Sequence, residues 1–304
     1  MSSKTTAGRG TWGSGLGFVL AAAGGAIGLG NLWRFPYVTG ENGGGLFVVV
    51  YLAAIALVGL PILIIEIAIG RASRHSAVGA FGVLVGGRTG WRGLGWLGVV
   101  AASLALSCYA VVAGWAMHYL VLSMRGALAD VTADEVEGIF GALYGDGGLN
   151  LMWALVFMGI TVGVVLGGVR KGIERWSRIL MPALFVILLV LLARAVTLDG
   201  FRAGLDFVFA LRADQLTPAG VLEALGHAFF TLGVGVGSML TYGSYLDRRA
   251  NLVKDALSIA ALDTLVALVA CIVIFPIAFT YGLPTAHGPG LVFVNLPIAF
   301  SQMP

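Results

Sequence analysis

Two glycine-rich stretches carry the polar residues best placed for chemistry. The first holds Gly24, Gly25, Gly28 and Gly30, then Asn31, Arg34 and Pro36; the second holds Thr231, Gly233, Gly235 and Gly237. Each interior glycine weakens a helix by about 1 kcal/mol relative to alanine, so both stretches point to helices that open. An opened helix offers free carbonyl oxygens, which suit a hard cation. It also offers free N–H groups and the positive end of a helix dipole, which attract a carboxylate. Two acids stand apart from the rest. Asp263 lies about 12 Å along a helix from Asp255 at a rise of 1.5 Å per residue, too deep for its side chain to reach water, and Glu66 is set deep in another apolar run. Acids at such depth mark functional sites; a protonated or hydrogen-bonded structural carboxylate is the alternative for each. For the glycines, the alternative is close approach of neighbouring helices. Two such stretches, five helices apart, favour interrupted helices around a binding site.

Other signatures fail on context. Gly93-Leu94-Gly95-Trp96-Leu97-Gly98 matches GxGxxG, but no strand precedes it and an apolar helix follows, so it is not a dinucleotide loop. His75, His118, His227 and His287 lack ligand spacing, and Cys108 and Cys271 sit inside apolar runs as small buried packing residues. No GxSxG or HExxH occurs and no paired acids share a segment. An intramembrane protease is therefore disfavoured, and the chain reads as a non-enzyme without an organic cofactor.

These residues need a frame, and composition supplies it. Of 304 residues, 59% are hydrophobic and 11% charged, against roughly 25% charged in a soluble domain. Seven segments are long enough to cross a hydrocarbon core of about 30 Å: residues 15–37, 44–70, 91–124, 150–168, 176–196, 219–245 and 252–281. The first is read as a retained span, since no small-residue cleavage site follows a short apolar core. Between spans three and four a short helix is predicted near 132–143, and a large external loop is expected to start after span seven, at 284–304.

The loops sort by charge. One side holds 13 of the 18 Lys and Arg: Lys4 and Arg9; Arg71, Arg74, Arg88 and Arg92; Arg170, Lys171, Arg175 and Arg178; Arg248, Arg249 and Lys254. The other holds 10 of the 15 acids: Glu41; Asp130, Asp134, Glu135, Glu137 and Asp146; Asp199, Asp206, Asp214 and Glu223. The positive-inside rule then places the N-terminus in the cytoplasm of a multi-pass protein of the inner (plasma) membrane. The net charge of +3 belongs to these loops and not to a nucleic-acid surface.

The run Gly24-Gly25-Ala26-Ile27-Gly28-Leu29-Gly30-Asn31-Leu32-Trp33-Arg34-Phe35-Pro36 resembles the neurotransmitter:sodium symporter family. So do Glu41-Asn42-Gly43-Gly44-Gly45, Pro61 to Arg71, Lys171-Gly172-Ile173-Glu174-Arg175, Phe229-Phe230-Thr231-Leu232 and Tyr242-Gly243-Ser244-Tyr245. The resemblance runs from Arg9 to Gln302. It implies an all-α, inverted-repeat transporter fold of the leucine-transporter type, in one transmembrane domain over 1–304 with helices one and six broken. Residues 1–200 would form the first five-helix repeat, and 215–304 helices six and seven with the start of an external loop. The family's helices eight to ten lie outside this chain.

The same resemblance implies a sodium-coupled symporter that imports an amino acid by alternating access, with two sodium sites. The first would use the Ala26 carbonyl, the Asn31 side chain, Thr231 and Asp263. The second would use the Gly24 and Ile27 carbonyls and is half a site without helix eight. The family has Asn or Asp at position 263; a fixed charge there would make transport chloride-independent, although Ala267 replaces an acid found in some relatives. Substrate would contact Gly25, Ala26, Leu29, Gly30, Ala105, Tyr109, Phe230, Thr231, Gly233 and Val236. Monoamine carriers have an acid where Gly28 stands, so an amino acid is expected, and the small residues leave room for an apolar or aromatic side chain. Arg34, with Phe230 and Tyr109, would close the outer side; Arg9, Trp12, Ser244 and Tyr245 would close the inner. The competing reading is an inactive fragment or membrane interaction module. A homo-oligomer is left open.

Overall fold

The computed structural model describes residues 10–86, 89–129, 131–283 and 290–301. Its helices follow the apolar runs, because in lipid each backbone N–H and C=O must be satisfied within the chain. The first run is α1 (Gly15–Ala26), a π turn over Gly30–Arg34, and α2 (Phe35–Glu41). Its two halves bend by 56°. The second is α3 (Gly45–Ala54), a π turn over Ile55–Gly59, and α4 (Leu60–Ser73). Then come α5 (Ala77–Leu84), α6 (Arg92–Met124), α7 (Ala133–Gly145) and α8 (Gly147–Leu166). A π turn over Val169–Glu174 leads into α9 (Arg175–Val196), and α10 (Phe201–Phe209) follows. The sixth run is split into α11 (Pro218–Thr231) and α12 (Ser238–Gly243). The seventh is α13 (Leu252–Thr280), with α14 (Gly290–Phe293) and α15 (Asn295–Ser301) beyond it.

Local chemistry sets the ends. Ser14, Thr217 and Asn251 cap α1, α11 and α13, accepting from the N–H groups of Gly17, Gly220 and Lys254. At α7 the cap is reciprocal: Thr132 accepts from the Glu135 N–H, and the Glu135 carboxylate accepts from the Thr132 N–H and hydroxyl. Those donors hold the Glu135 carboxyl below the usual glutamate range. A depressed folded pKa stabilises above the ordinary value and is lost as pH falls below it. Thr132→Ala should therefore speed amide hydrogen exchange over the first turn of α7 at neutral pH, and less so in acid. Equal exchange in both proteins would show that the cap is idle.

Five helices or kinked pairs are long and apolar enough to cross a membrane, and α1 with α2 makes a sixth as a broken span. The run at 219–245 is divided between two helices, neither of spanning length, and α5 and α10 fold where the charge pattern indicates loops between spans. Residues 290–301, expected as loop, are helical. Buried side chains gather around α13: Phe18, Phe35, Phe47, Tyr51, Ile67 and Phe275 are wholly enclosed. On α6, α8 and α9 large apolar residues such as Leu104, Leu155 and Val190 are more than 60% exposed. Such a surface calls for an apolar neighbour, lipid or further helices.

α4 and α12 run backbone to backbone. A Cβ on Gly70 would fall well inside contact distance of the Leu240 carbonyl, and one on Gly243 would lie 2.5 Å from the Ile67 carbonyl. Here the close-approach reading of glycine holds next to the broken stretch; within it, a Cβ on Gly237 would lie 2.7 Å from the Ala77 Cβ.

Candidate functional site

The break in helix one is at Ile27, whose extended backbone (ψ 120°) ends α1. The chain re-enters helix through the π turn, where the Phe35 N–H reaches the Gly30 carbonyl. The break in helix six spans Leu232–Gly237. Gly233, Gly235 and Gly237 have φ of 61°, 88° and 77°, a left-handed region costly for residues with a Cβ. The glycines there are required by conformation. The Glu66 carboxylate accepts the freed Gly235 N–H, and the Ser238 hydroxyl donates to the Gly233 carbonyl at 2.7 Å.

Between the two breaks lies a polar knot. Asn31, Thr231 and Asp263 are buried, with Asn31 and Asp263 wholly inaccessible. The Asn31 amide nitrogen donates to Asp263 Oδ1 at 2.8 Å and to Thr231 Oγ1 at 3.1 Å, while its oxygen accepts from the Gly28 N–H at 3.0 Å. The Thr231 hydroxyl lies 3.0 and 2.9 Å from the two Asp263 oxygens. Among the described residues no Lys, Arg or His forms an ion pair with Asp263. A buried carboxylate without a cationic partner is costly, and oxygen donors surround this one, so the knot suits a small hard cation. To ligate it, the Asn31 amide would turn over to present its oxygen. Among the described residues no three His, Cys, Asp or Glu gather as a transition-metal site would need.

A cavity of about 230 Å³ opens beside the knot, lined by Leu29, Gly30, Trp33, Arg34, Cys108, Tyr109, Val112 and Phe230. The Tyr109 and Phe230 rings stack at 6.1 Å, and the Arg34 guanidinium sits 5.5 Å from the Phe230 ring centre. A Cβ at Gly30 would be 3.3 Å from Phe230 and 3.6 Å from the Tyr109 hydroxyl. Leu29, Gly30, Arg34, Tyr109 and Phe230 thus share one chamber. Gly25 instead faces the Tyr242 ring, Gly24 faces Met181 of α9, and Ile27 packs in the same α9 cluster. Ala26 lies against the central core. The Val236 carbonyl abuts Gly98 of α6. Ala105 and Val236 do not line this chamber.

At the other end, the Trp12 indole N–H donates to the Tyr242 carbonyl at 3.0 Å and its backbone N–H to the Tyr245 carbonyl at 3.2 Å. Ser244 is buried beneath, its hydroxyl donating to the Thr241 carbonyl. Arg9 lies outside the described residues. Three side chains join these places that the sequence did not single out. Glu174 is buried, accepting from the Gly13 N–H and from Arg178. Glu223 stands 3.9 Å from Arg34 and accepts from the Asn42 amide at 3.1 Å. Tyr51 is wholly buried, with its hydroxyl beside Thr231, Asp263 and Thr264. Tyr51 follows Phe47 by one helical turn, and that pairing was the one signal available for it.

The model of the sodium:neurotransmitter symporter family matches residues 9–138 and 139–304. The chain belongs to that family. It is 42% identical over 293 residues to an uncharacterized sodium-dependent transporter, YhdH, of Bacillus subtilis, covering 96% of this chain and 65% of that protein. An uncharacterized sodium-dependent transporter of Haemophilus influenzae is 34% identical, covering 97% of this chain and 66% of the relative. Among solved structures, MhsT in complex with L-phenylalanine superposes with a TM-score of 0.91 at 46% identity, over 97% of this chain and 67% of MhsT. The chain therefore spans just under two thirds of these curated relatives' length. It is a helical membrane protein of a sodium-dependent transporter family, whose matched members are transporters and not enzymes.

Proposed function

We propose that the chain carries the substrate and sodium chamber of a symporter that imports an apolar or aromatic amino acid by alternating access, without chloride. The observation that carries this reading is the knot of Asn31, Thr231 and Asp263 between two broken helices. Its unpaired carboxylate calls for a cation, and the adjoining chamber with aromatic walls gives the amino acid a place beside it. The broken helix ends supply dipoles and free N–H groups for a substrate carboxylate, and Tyr109 is assigned a hydroxyl donor to the same group. MhsT, seen with L-phenylalanine, supports the aromatic class. In this reading Gly24 and Ile27 contribute carbonyls to a second sodium. Arg34 closes the outer side over Phe230, and Trp12 with Ser244 and Tyr245 closes the inner. The first repeat occupies 1–200, and 215–304 opens the second. The N-terminus faces the cytoplasm from the plasma membrane.

The test is binding of a labelled amino-acid panel to the purified chain in sodium, with potassium as control. Sodium-dependent binding of phenylalanine, tryptophan or leucine, well above glycine, is the expected result. Equal binding of glycine and tryptophan would overturn the assignment of substrate class, and binding indifferent to sodium would overturn the coupling.

A further inference from the structure

A second cavity, of about 440 Å³, lies far from the substrate chamber, at the N-terminal end of α9. Gly13, Arg170, Lys171, Glu174, Arg175, Arg178 and Ile179 line it. Four cations and one carboxylate share this space, an excess of three positive charges. The carboxylate is already engaged: Glu174 accepts from Arg178 at 2.6 Å and from the Gly13 N–H at 2.7 Å. Arg170, Lys171 and Arg175 are exposed, and their side chains make no ion pair or hydrogen bond with the described residues. Like charges held at the rim of one concave space repel unless an anion joins them.

Depth decides which anion. The π turn and α9 run without interruption from Val169 to Val196, 28 residues, or about 42 Å at 1.5 Å per residue. The hydrocarbon core takes only about 30 Å, so the first two turns extend into the headgroup layer. Trp176, nearly half exposed among these cations, is a residue type enriched at that level. Directly beyond it, Ile179 and Leu180 are more than 50% exposed on the apolar part of the helix. A ligand here meets cations at one end and bare aliphatic surface at the other, which is the shape of a phospholipid.

We infer that Arg170, Lys171, Arg175 and Arg178 form a binding site for the phosphate headgroup of an anionic phospholipid, with its acyl chains along Ile179 and Leu180. The local π winding brings Arg170 and Lys171 to the same cavity as Arg175 and Arg178. Glu174, held inward, keeps its charge away from the headgroup. The site is independent of amino-acid binding and stands or falls separately from the transport reading.

The test is native mass spectrometry of the purified chain titrated with phosphatidylglycerol or with phosphatidylcholine. One phosphatidylglycerol should be retained at concentrations where phosphatidylcholine is lost. The double variant Arg170→Gln/Arg175→Gln removes two cations that have no partner in the described structure, so folding is spared; circular dichroism checks it. Retention should weaken on the order of thirtyfold, taking the usual contribution of a basic residue at a membrane surface. The control Arg92→Gln/Lys254→Gln removes equal charge from the same side and should change little. Equal loss in both double variants would reduce the site to general charge attraction and overturn the proposal. So would equal retention of the two lipids by the unaltered chain. Displacement of the lipid by millimolar inorganic phosphate would assign the cavity to a free anion instead.

Discussion

Asparagine at position 263 is expected to weaken sodium binding on the order of a hundred- to a thousandfold and to make it respond to chloride. A carboxylate about 4 Å from a monovalent cation contributes about 4 kcal/mol at an effective dielectric near 20, which sets the upper end of that range. Asn31 and Thr231 already direct their donors at Asp263, so an amide there keeps the packing and removes the charge. Chloride added nearby would return part of the lost field. The measurement is a titration of radioactive sodium onto the purified chain, in chloride and in gluconate, which requires no amino acid. An unchanged midpoint in both media would end the assignment of Asp263 to the cation.

Gly70→Ala is expected to disrupt the fold more than most single-methyl insertions. The new Cβ would press on the Leu240 carbonyl, a backbone atom of α12 that cannot turn aside as a side chain can. Overpacking costs typically 1–3 kcal/mol, and a backbone clash at a helix crossing belongs at or above the top of that range. The chain offers its own reporter, since Cys271 is buried as expected while Cys108, expected to be buried, is exposed and lines the cavity beside Tyr109. In a Cys108→Ser background, a thiol-reactive dye followed on heating should show Cys271 uncovering about 10 °C earlier in Gly70→Ala. Gly226→Ala is the control. Its Cβ would meet nothing within 4 Å, and alanine suits a helix interior better than glycine. A Gly70→Ala chain that melts with the parent would mean the two helices separate at little cost.

Much of the fold could be read ahead because the solvent is lipid. Apolar runs bounded by charged loops determine where helices cross, and glycine clusters at 24–30 and 233–237 mark where two of them open. The helices at 77–84 and 201–209 were read as loops, since short stretches flanked by charges between long spans carry no signal of their own. Residues 169–174 were legible as a motif but not as a π turn: Lys171-Gly172-Ile173-Glu174 differs from an α-helical run only through where its hydrogen bonds go. At the site, Asn31, Thr231 and Asp263 drew attention as polar residues in apolar surroundings. Glu223 did not, because an acid in the first turns of α11 is unremarkable until Arg34, 189 residues away in sequence, folds beside it. Tyr51 escaped notice for the opposite reason, as an aromatic ring in an apolar helix whose hydroxyl matters only beside Asp263.

The N-terminal segment is pinned at three consecutive residues to two different helices. Trp12 is held by the end of α12, Gly13 by Glu174, and Ser14 by Arg178 of α9. Such a grip behaves as a bivalent ligand does. When one contact slips, the other keeps the loosened residue at high effective concentration, and rebinding outruns departure. Detachment then requires both grips to fail in one event, and half-released forms stay scarce. Free energies lost at the two grips add, so weakening both multiplies the rate of full release. The attachment of the segment therefore has avidity, steep in its response although each bond alone is ordinary.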